Sequence, residues 1–297
     1  MFAYALWLAS MQARPGLSIE RFEQLHQQLT SLIAHECQGP HNGKVCPPQV
    51  LKRLCIADDV HVPDINYTDK FTPWISMGRF TWTANDYNDF VVWYVFFSGL
   101  LFEDVERESL RAAKFYFESG ASNGIHASQT YTFGEQLGWS GLMTEVSNCG
   151  PCQARINHPS AKFVHAGICE TDRKIPFDAN NQQKFCPKQI LCALAPFTEV
   201  DCRSLKSLFL EHGVTVVDFL SLDMEEATPT AWRSIDHEST NVRVAVVEKW
   251  EEMPIDTDTF EVVVKNNDYF LWRKKAFKQV SRPCHTFSKM KLSHSLH

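Results

Sequence analysis

The sequence lacks the features that would place it in a specialised class of protein. It has no internal repeat and no low-complexity block, which excludes collagen-like chains and disordered tails. Its longest apolar run, residues 90–102, falls short of the roughly 20 residues that a membrane-spanning helix needs. Of its 297 residues 44% are hydrophobic and 22% are charged. We therefore expect a globular chain of one large or two modest domains with no transmembrane span.

An excess of positive charge is also missing, because the formal net charge is −6. Since nucleic-acid binding needs a basic face, we expect no nucleic-acid partner. The charge is unevenly spread along the chain. Residues 271–297 contain seven Lys and Arg residues and no acid, whereas residues 1–270 carry 22 basic and 35 acidic residues. The sequence thus combines an acidic body with a basic C-terminal end.

A zinc signature of paired close cysteines is absent, although the chain has ten cysteines. Disulfides in the secretory pathway lumen are one interpretation of this number. The glycosylation sequon Asn66-Tyr67-Thr68 fits that compartment. The apolar opening segment, residues 1–13, is short and has no basic residue before it, which makes it a weak signal peptide. These features favour the secretory lumen, with a cytoplasmic location as the alternative.

The pattern of hydrophobic and polar residues along the chain changes near residue 86. Residues 1–85 have irregular patterning with several prolines, apart from an amphipathic helix predicted over residues 18–34. Helices are predicted from residue 86 through the aromatic run and over residues 104–113. After them, strands alternate with helices. The predicted strands are residues 114–118, 141–145, 162–165, 190–194, 216–222 and 243–248, and the predicted helices between them are residues 128–137, 149–156 and 204–212.

This alternation is typical of an α/β fold with a mostly parallel sheet. Residues 260–264 and 269–273 flank an Asn-rich turn and predict a C-terminal antiparallel hairpin. We therefore divide the chain into an irregular N-terminal region (1–85), a doubly wound domain (86–275) and a basic C-terminal tail (276–297).

Candidate site residues follow the predicted strands, because ligands of such sheets bind outside the carboxyl ends of the strands. Gly120 and Gly124 follow the first strand, where glycines allow a tight turn and close approach of the backbone to a ligand. Glu145 ends the next strand and could accept hydrogen bonds from a ribose diol. Asp223 and Glu225 follow a later strand and suit the roles of base, polar anchor or metal ligand.

These junctions belong to longer motifs that occur in a fixed order. They are Phe117-Glu118-x-Gly120-Ala121-x-Asn123-Gly124, Ser128-Gln129-Thr130, Leu137-Gly138-Trp139-Ser140-Gly141-Leu142-Met143-Thr144-Glu145, Asp218-Phe219-Leu220-Ser221-Leu222-Asp223-Met224-Glu225 and Val246-Val247-Glu248. In this order and spacing, over about residues 86–275, the sequence resembles the FkbM family of S-adenosylmethionine-dependent methyltransferases.

The resemblance implies a Rossmann-like class I methyltransferase fold that holds S-adenosylmethionine. It implies an O-methyltransferase whose acceptor is a hydroxyl of a small molecule or glycan. The implied cofactor contacts are the loop residues Glu118, Gly120, Ala121, Asn123 and Gly124, then Glu145 at the ribose and Ala166 near the adenine. Asp223 and Glu225 are the implied catalytic residues, which would face the methyl group and the acceptor.

Two alternatives stay open at this level. Glu226 and Thr228 stand where the family usually has Gly and Glu, so a catalytically inactive interaction protein of the same fold is the first alternative. Cys149-Gly150-Pro151-Cys152 has the spacing of a thioredoxin-like dithiol, which makes an oxidoreductase the second. The twelve histidines do not cluster at ligand spacing, so no metal site is predicted.

Overall fold

The structure is a computed structural model of the whole chain. It describes residues 31–37, 43–45, 47, 74–77, 80–84, 88–97, 114–125, 127–146, 150–176, 199–248, 253–265 and 269–277. The predicted helix over residues 104–113, the predicted strand over residues 190–194 and the basic tail from residue 278 lie outside these residues.

A seven-stranded, mostly parallel sheet dominates the fold, which is α/β and Rossmann-like. Its strands lie in the order β6-β5-β4-β10-β11-β13-β12. All neighbouring pairs from β6 to β11 are parallel, and β13 is antiparallel to both β11 and β12. The strands are β4 (Phe115–Ser119), β5 (Ser140–Glu145), β6 (Ala161–His165), β10 (Val216–Leu222), β11 (Asn241–Glu248), β12 (Phe260–Lys265) and β13 (Tyr269–Lys274).

Helical segments connect the strands. They are α1 (Asn88–Val92), which continues as the π-helix Trp93–Phe97, the π-helix Thr132–Gln136, α2 (Gly150–Asn157), α3 (Leu205–Glu211), the short 3₁₀-helix Glu225–Ala227 and α4 (Thr228–Arg233). Residues 31–36 are also helical. The side chain of Ser204 accepts a hydrogen bond from the backbone N–H of Ser207 and caps α3.

Two small sheets accompany the large one. The first contains β1 (Gly43–Val45), β2 (Trp74–Met77) and β3 (Phe80–Trp82). The second, in the order β7-β9-β8, contains β7 (Gly167–Ile168), β9 (Glu199–Arg203) and β8 (Arg173–Pro176). Sequence analysis predicted neither, because strands of two to five residues are too short to show a two-residue alternation.

The core fills both faces of the large sheet. On one face, Tyr116, Met143 and Phe219 pack under an aromatic cluster from residues 82–97, together with Phe133 and Trp139. On the other face, Phe117, Leu142 and Leu220 pack against α3 and α4. Alternate residues of one strand therefore enter different core clusters, as the pleat of a strand requires. Residues 82–97 share their core with the sheet, so this part of the chain is joined to the doubly wound domain.

Most predicted strands are confirmed within one or two residues, and so is the antiparallel hairpin. The helix predicted over residues 128–137 is wrong at its start, where residues 127–130 form no helix. The cause is a buried carboxylate: the backbone N–H of Gln129 and the hydroxyls of Ser128 and Thr130 donate to Glu118. Polar groups that bond to a neighbouring strand in this way cannot also form a first helical turn.

We predict that Gly141→Ala destabilises the fold by about 3 kcal/mol, because the new side chain overpacks the core. A Cβ at Gly141 would lie 2.0 Å from Cζ of Tyr116, whose ring covers this position on the neighbouring strand. The matched control is Gly167→Ala, whose Cβ would meet no atom closer than 3.5 Å. Urea unfolding of both variants measures the difference. Equal losses of stability would contradict the packing described for Tyr116.

Candidate functional site

The strand order reverses between β4 and β10, and the loops that follow these two strands touch there. The backbone N–H of Asp223 donates to the carbonyl of Ser119 over 3.1 Å. Gly120 has a φ of +81°, and a Cβ on it would lie 1.7 Å from the carbonyl oxygen of Asp223. Only glycine fits this contact, for reasons of both space and backbone conformation. Such a reversal point is where sheets of this kind form their ligand crevice.

Glu118 is the last residue but one of β4, and its carboxylate points away from solvent, with 3% of the residue exposed. Its two oxygens accept hydrogen bonds of 2.6–2.9 Å from the backbone of Gln129 and the hydroxyls of Ser128 and Thr130. Burial raises the pKa of Glu118 to about 7, although these hydrogen bonds lower it. The side chain therefore holds residues 128–130 against the sheet. Sequence analysis had placed Glu118 in the cofactor loop without foreseeing this contact.

Two acids at the ends of β5 and β11 bind the crevice loops in matching ways. The backbone N–H of Ser122 donates to Oε2 of Glu145 over 2.7 Å, and that of Glu225 donates to Oε2 of Glu248 over 2.6 Å. Both donors are non-glycine residues with positive φ, 48° for Ser122 and 52° for Glu225. Such conformations cost free energy, and they concentrate at ligand sites. Each loop is thus held in a strained form by a carboxylate from the neighbouring strand.

Asp223 lies between these two loops and forms the polar centre of the site. Its Oδ2 accepts a 2.8 Å hydrogen bond from the hydroxyl of Tyr269. Glu248, at the end of the neighbouring strand β11, lies close enough to Asp223 for the two carboxyl groups to affect each other's pKa. Burial raises the pKa of Glu248 to about 7, and the charge of Asp223 raises it further. Burial also raises the pKa of Asp223, and the nearby charge of Glu225 raises it further. Both carboxyl groups therefore hold a proton more readily than an exposed acid does.

The rest of the loop after β4 packs closely against α2. Gly124 has a φ of +81°, and a Cβ there would lie 3.1 Å from Cα of Ala154. Oδ1 of Asn123 accepts from the backbone N–H of Ile125, and its carbonyl accepts from the side chain of Asn157. Gly124 therefore permits a short distance between loop and helix, and Asn123 fixes the loop on that helix.

The remaining predicted positions lie at the edges of the site. Ala121 is 1% exposed, and its backbone N–H donates to the carbonyl of Thr144. Ala166 is buried directly after β6, on the far side of Glu145 from Asp223 in the sheet order. The side chain of Glu225 is exposed, so its backbone, rather than its carboxylate, takes part in the hydrogen bonds described above. The structure thus brings Gly120, Glu145 and Asp223 together at the carboxyl ends of β4, β5 and β10, where sheets of this kind form their ligand crevice.

The crevice is rich in negative charge. In the part of the chain that the structure describes, no Lys or Arg forms an ion pair with Asp223, Glu225 or Glu248. The same residues contain no group of three or more His, Cys, Asp and Glu side chains that could hold a metal ion. Such a site attracts a ligand with a positive charge and hydroxyl or amine donors.

Sequence analysis missed Ser122 and Tyr269 as site residues, and it noted Glu248 only as a strand-end acid. The register Glu248↔Tyr269 brings the tyrosine beside that acid. This pairing could have been found by continuing the predicted hairpin alongside β11. The contribution of Ser122 is made by its backbone, which leaves no signature in residue type.

The structure describes only part of what the sequence predicted for the cysteines and for a transmembrane span. The side chains of Cys149 and Cys152 lie outside the described residues, although α2 begins at Gly150 as the dithiol interpretation required. Cys169 and Cys202 form a disulfide, and no cysteine whose side chain the structure describes is free. None of the described helices is long and apolar enough to cross a membrane.

No protein-family model and no curated protein matches the chain. Among solved structures, the chain is similar to the crystal structure of the methyltransferase FkbM from Methylobacillus flagellatus KT, with a TM-score of 0.31 and 14% sequence identity. The alignment covers 55% of this chain and 42% of that chain, so less than half of that protein's length is matched. The similarity is distant, and a functional proposal has to stand on the geometry of the site.

We predict that Glu118→Gln flattens the pH dependence of stability. The folded-state pKa of Glu118 is raised from 4.5 to about 7, so the folded protein binds the proton more tightly than the unfolded chain does. Wild-type stability should therefore fall as the pH rises from about 4.5 to about 7. In the variant, the difference in the free energy of unfolding between pH 5 and pH 8 should be smaller by on the order of 2 kcal/mol, as measured by urea unfolding. The matched control is Glu238→Gln, which removes an exposed acid. Parallel curves for Glu118→Gln and wild type would contradict the prediction.

Proposed function

We propose that this chain is an S-adenosylmethionine-dependent O-methyltransferase of FkbM type that acts on a hydroxyl group of a small molecule or glycan. The observation that carries the proposal is the position of Gly120, which contacts Asp223 across the point where the strand order reverses and lies beside the strand that ends in Glu145. A close-packed glycine turn and a strand-end acid on the next strand are the elements that a nucleoside-binding crevice of this fold needs.

The sheet supports the same proposal. Its strands run β6-β5-β4-β10-β11 with two further strands, of which β13 is antiparallel. This agrees with the seven-stranded sheet and closing hairpin that the sequence motifs imply. The class I methyltransferase fold is accordingly the finer assignment that we propose for the Rossmann-like domain.

The donor set fits the cofactor. The carboxylate of Glu145 accepts hydrogen bonds from the backbone N–H groups of Ser122 and Val146. A carboxylate at the end of this strand is the type of group that accepts hydrogen bonds from a ribose diol. The negative charge of Asp223 and its neighbours suits a sulfonium cation. Ala166, which is buried directly after the neighbouring strand β6, would lie near the adenine.

The chemistry needs little from the protein beyond alignment and proton removal. When bound, S-adenosylmethionine supplies an activated methyl group. The protein's own residues would orient an acceptor hydroxyl near Asp223 and take up its proton. The Asp223 and Glu248 pair suits this task, because burial raises the pKa of both carboxyl groups and so increases their affinity for a proton. Tyr269 would hold the Asp223 carboxylate in a fixed orientation.

The inactive interaction protein is the second candidate, and Glu226 is the observation behind it. Its side chain is exposed, and it lies in the 3₁₀-helix Glu225–Ala227. Positive φ occurs at Glu225 and not at Glu226. The backbone conformation at residue 226 therefore does not require glycine. Glu226 instead adds a side chain and a negative charge beside the position of an acceptor substrate. The active and the inactive candidate therefore differ in turnover and not in folding.

Calorimetric titration with S-adenosylhomocysteine tests the proposal. We expect wild-type protein to bind, and Glu145→Gln to bind about tenfold more weakly, because one or two hydrogen bonds to a charged group are lost. Glu238→Gln, which removes an exposed acid outside the crevice, should bind as the wild type does. Absence of wild-type binding at millimolar ligand would overturn the enzymatic proposal and the cofactor assignment together.

Transfer of radiolabelled methyl groups from S-adenosylmethionine to a panel of mono- and oligosaccharides separates the two candidates. We expect Asp223→Asn to slow transfer by about a hundredfold or more, while its affinity for S-adenosylhomocysteine changes less than threefold. If Asp223→Asn instead abolishes binding and leaves transfer at saturating cofactor unchanged, our role for Asp223 is wrong. Cofactor binding without transfer to any acceptor favours the inactive candidate.

A further inference from the structure

The disulfide Cys169–Cys202 lies directly behind the Glu145 side of the crevice. Its cysteines have Cα atoms 5.5 Å apart and join the small sheet to the segment that follows β6. The register of that sheet pairs Gly167 with Cys202. The backbone N–H of Cys169 also donates to the carbonyl of Arg203 over 2.9 Å. Residues 166–169 are thus fixed on β9 by one covalent bond and by strand pairing.

Gly167 transmits this fixed position to the end of β5. A Cβ on Gly167 would lie 3.5 Å from Sγ of Cys202 and 3.6 Å from a methyl carbon of Val146. The sulfur of Cys202 and the side chain of Val146 therefore both lie next to the α-carbon of Gly167. Because protein interiors are close-packed, a displacement of Cys202 is felt at Val146.

Val146 is bonded in turn to the residues that form the crevice. Its backbone N–H donates to Oε1 of Glu145 over 2.9 Å, and its carbonyl oxygen lies 3.2 Å from Nε2 of His165 on β6. Oε2 of the same glutamate accepts from the strained Ser122. A continuous series of contacts leads from the disulfide through Val146 and Glu145 to the loop after β4.

We propose that Cys169 and Cys202 are positioning residues for this crevice, because their disulfide sets the orientation of Glu145 and, through it, of Ser122. The nucleoside side of the crevice is complete only when the disulfide is formed. The opposite side, where Glu248 binds the backbone of Glu225, contacts β11 and is independent of it. The inference rests on the proposed function only for the identity of the ligand.

Amide hydrogen exchange, resolved by NMR in the double variant Cys169→Ser/Cys202→Ser, tests the proposal without any ligand. We expect exchange at Ser122 and Val146 to accelerate at least tenfold, because both N–H groups are protected by Glu145. Exchange at Glu225 should stay within about twofold of wild type in the same sample. Equal acceleration at all three amides, or none at Ser122 and Val146, overturns the proposal.

Two further variants keep the test decisive if the double variant does not fold. Val146→Ala retains the disulfide and Glu145 but removes the methyl groups that contact Gly167. It should also accelerate Ser122 exchange, by a smaller factor than the double variant does. Asp236→Asn removes the carboxylate charge that pairs with Lys206 on α3, away from the disulfide. It should leave Ser122 exchange within about twofold of wild type. A response of Ser122 to Asp236→Asn equal to that of Val146→Ala overturns the proposal.

Titration with S-adenosylhomocysteine then separates this inference from the proposed function. If wild-type protein binds, the double variant should bind about tenfold more weakly, as Glu145→Gln does. If wild-type protein does not bind but the Ser122 and Val146 amides respond as expected, the positioning role stands and the cofactor assignment falls. Unchanged affinity in a double variant with accelerated Ser122 exchange overturns the positioning role.

Discussion

The contact between two loop backbones at the centre of the sheet is the constraint on which the site depends. Gly120 lies against the carbonyl of Asp223 so closely that no side chain fits between them. The contact fixes the ends of β4 and β10 relative to each other and aims Asp223 at the crevice. The loops on either side are then set by Glu145 and Glu248, each of which accepts a backbone N–H from a residue with positive φ. A rigid strand end thus positions each flexible loop.

The cost of this arrangement is the collection of carboxyl groups in one place. Burial raises the pKa of both Glu118 and Glu248 to about 7, and Asp223 adds to the repulsion in each case. Glu118 compensates through three hydrogen bonds to residues 128–130. The carbonyl of Ser128 in turn accepts from the hydroxyl of Thr83, whose backbone N–H donates to the carboxylate of Asp89. The acids therefore have two distinct tasks. Glu118 joins the aromatic N-terminal segment to the sheet, whereas Asp223 and Glu248 face the crevice.

The sequence predicts the frame of the molecule better than the contacts of its site. Strand ends such as Glu145 and Leu222 could be placed because buried parallel strands are apolar runs that stop at polar residues. The role of Glu118 could not, since its partners lie 10–12 residues further along the chain in a segment patterned like a helix. Ser122 was equally hidden, because its contribution is a backbone N–H held by positive φ. The small sheet around Cys202 was missed because its strands are short. The disulfide between Cys169 and Cys202 could therefore not be predicted either.

A crystal structure of the protein with S-adenosylhomocysteine tests the central claim most directly, because it locates the ligand and the loops together. The account predicts the nucleoside at the reversal point between β4 and β10. The ribose hydroxyls should donate to Glu145, and the sulfur should lie on the Asp223 side. The hydrogen bond from Ser122 to Glu145 should be retained. A ligand bound elsewhere, or a crevice in which Glu145 contacts only its own loop at saturating ligand, would contradict the account.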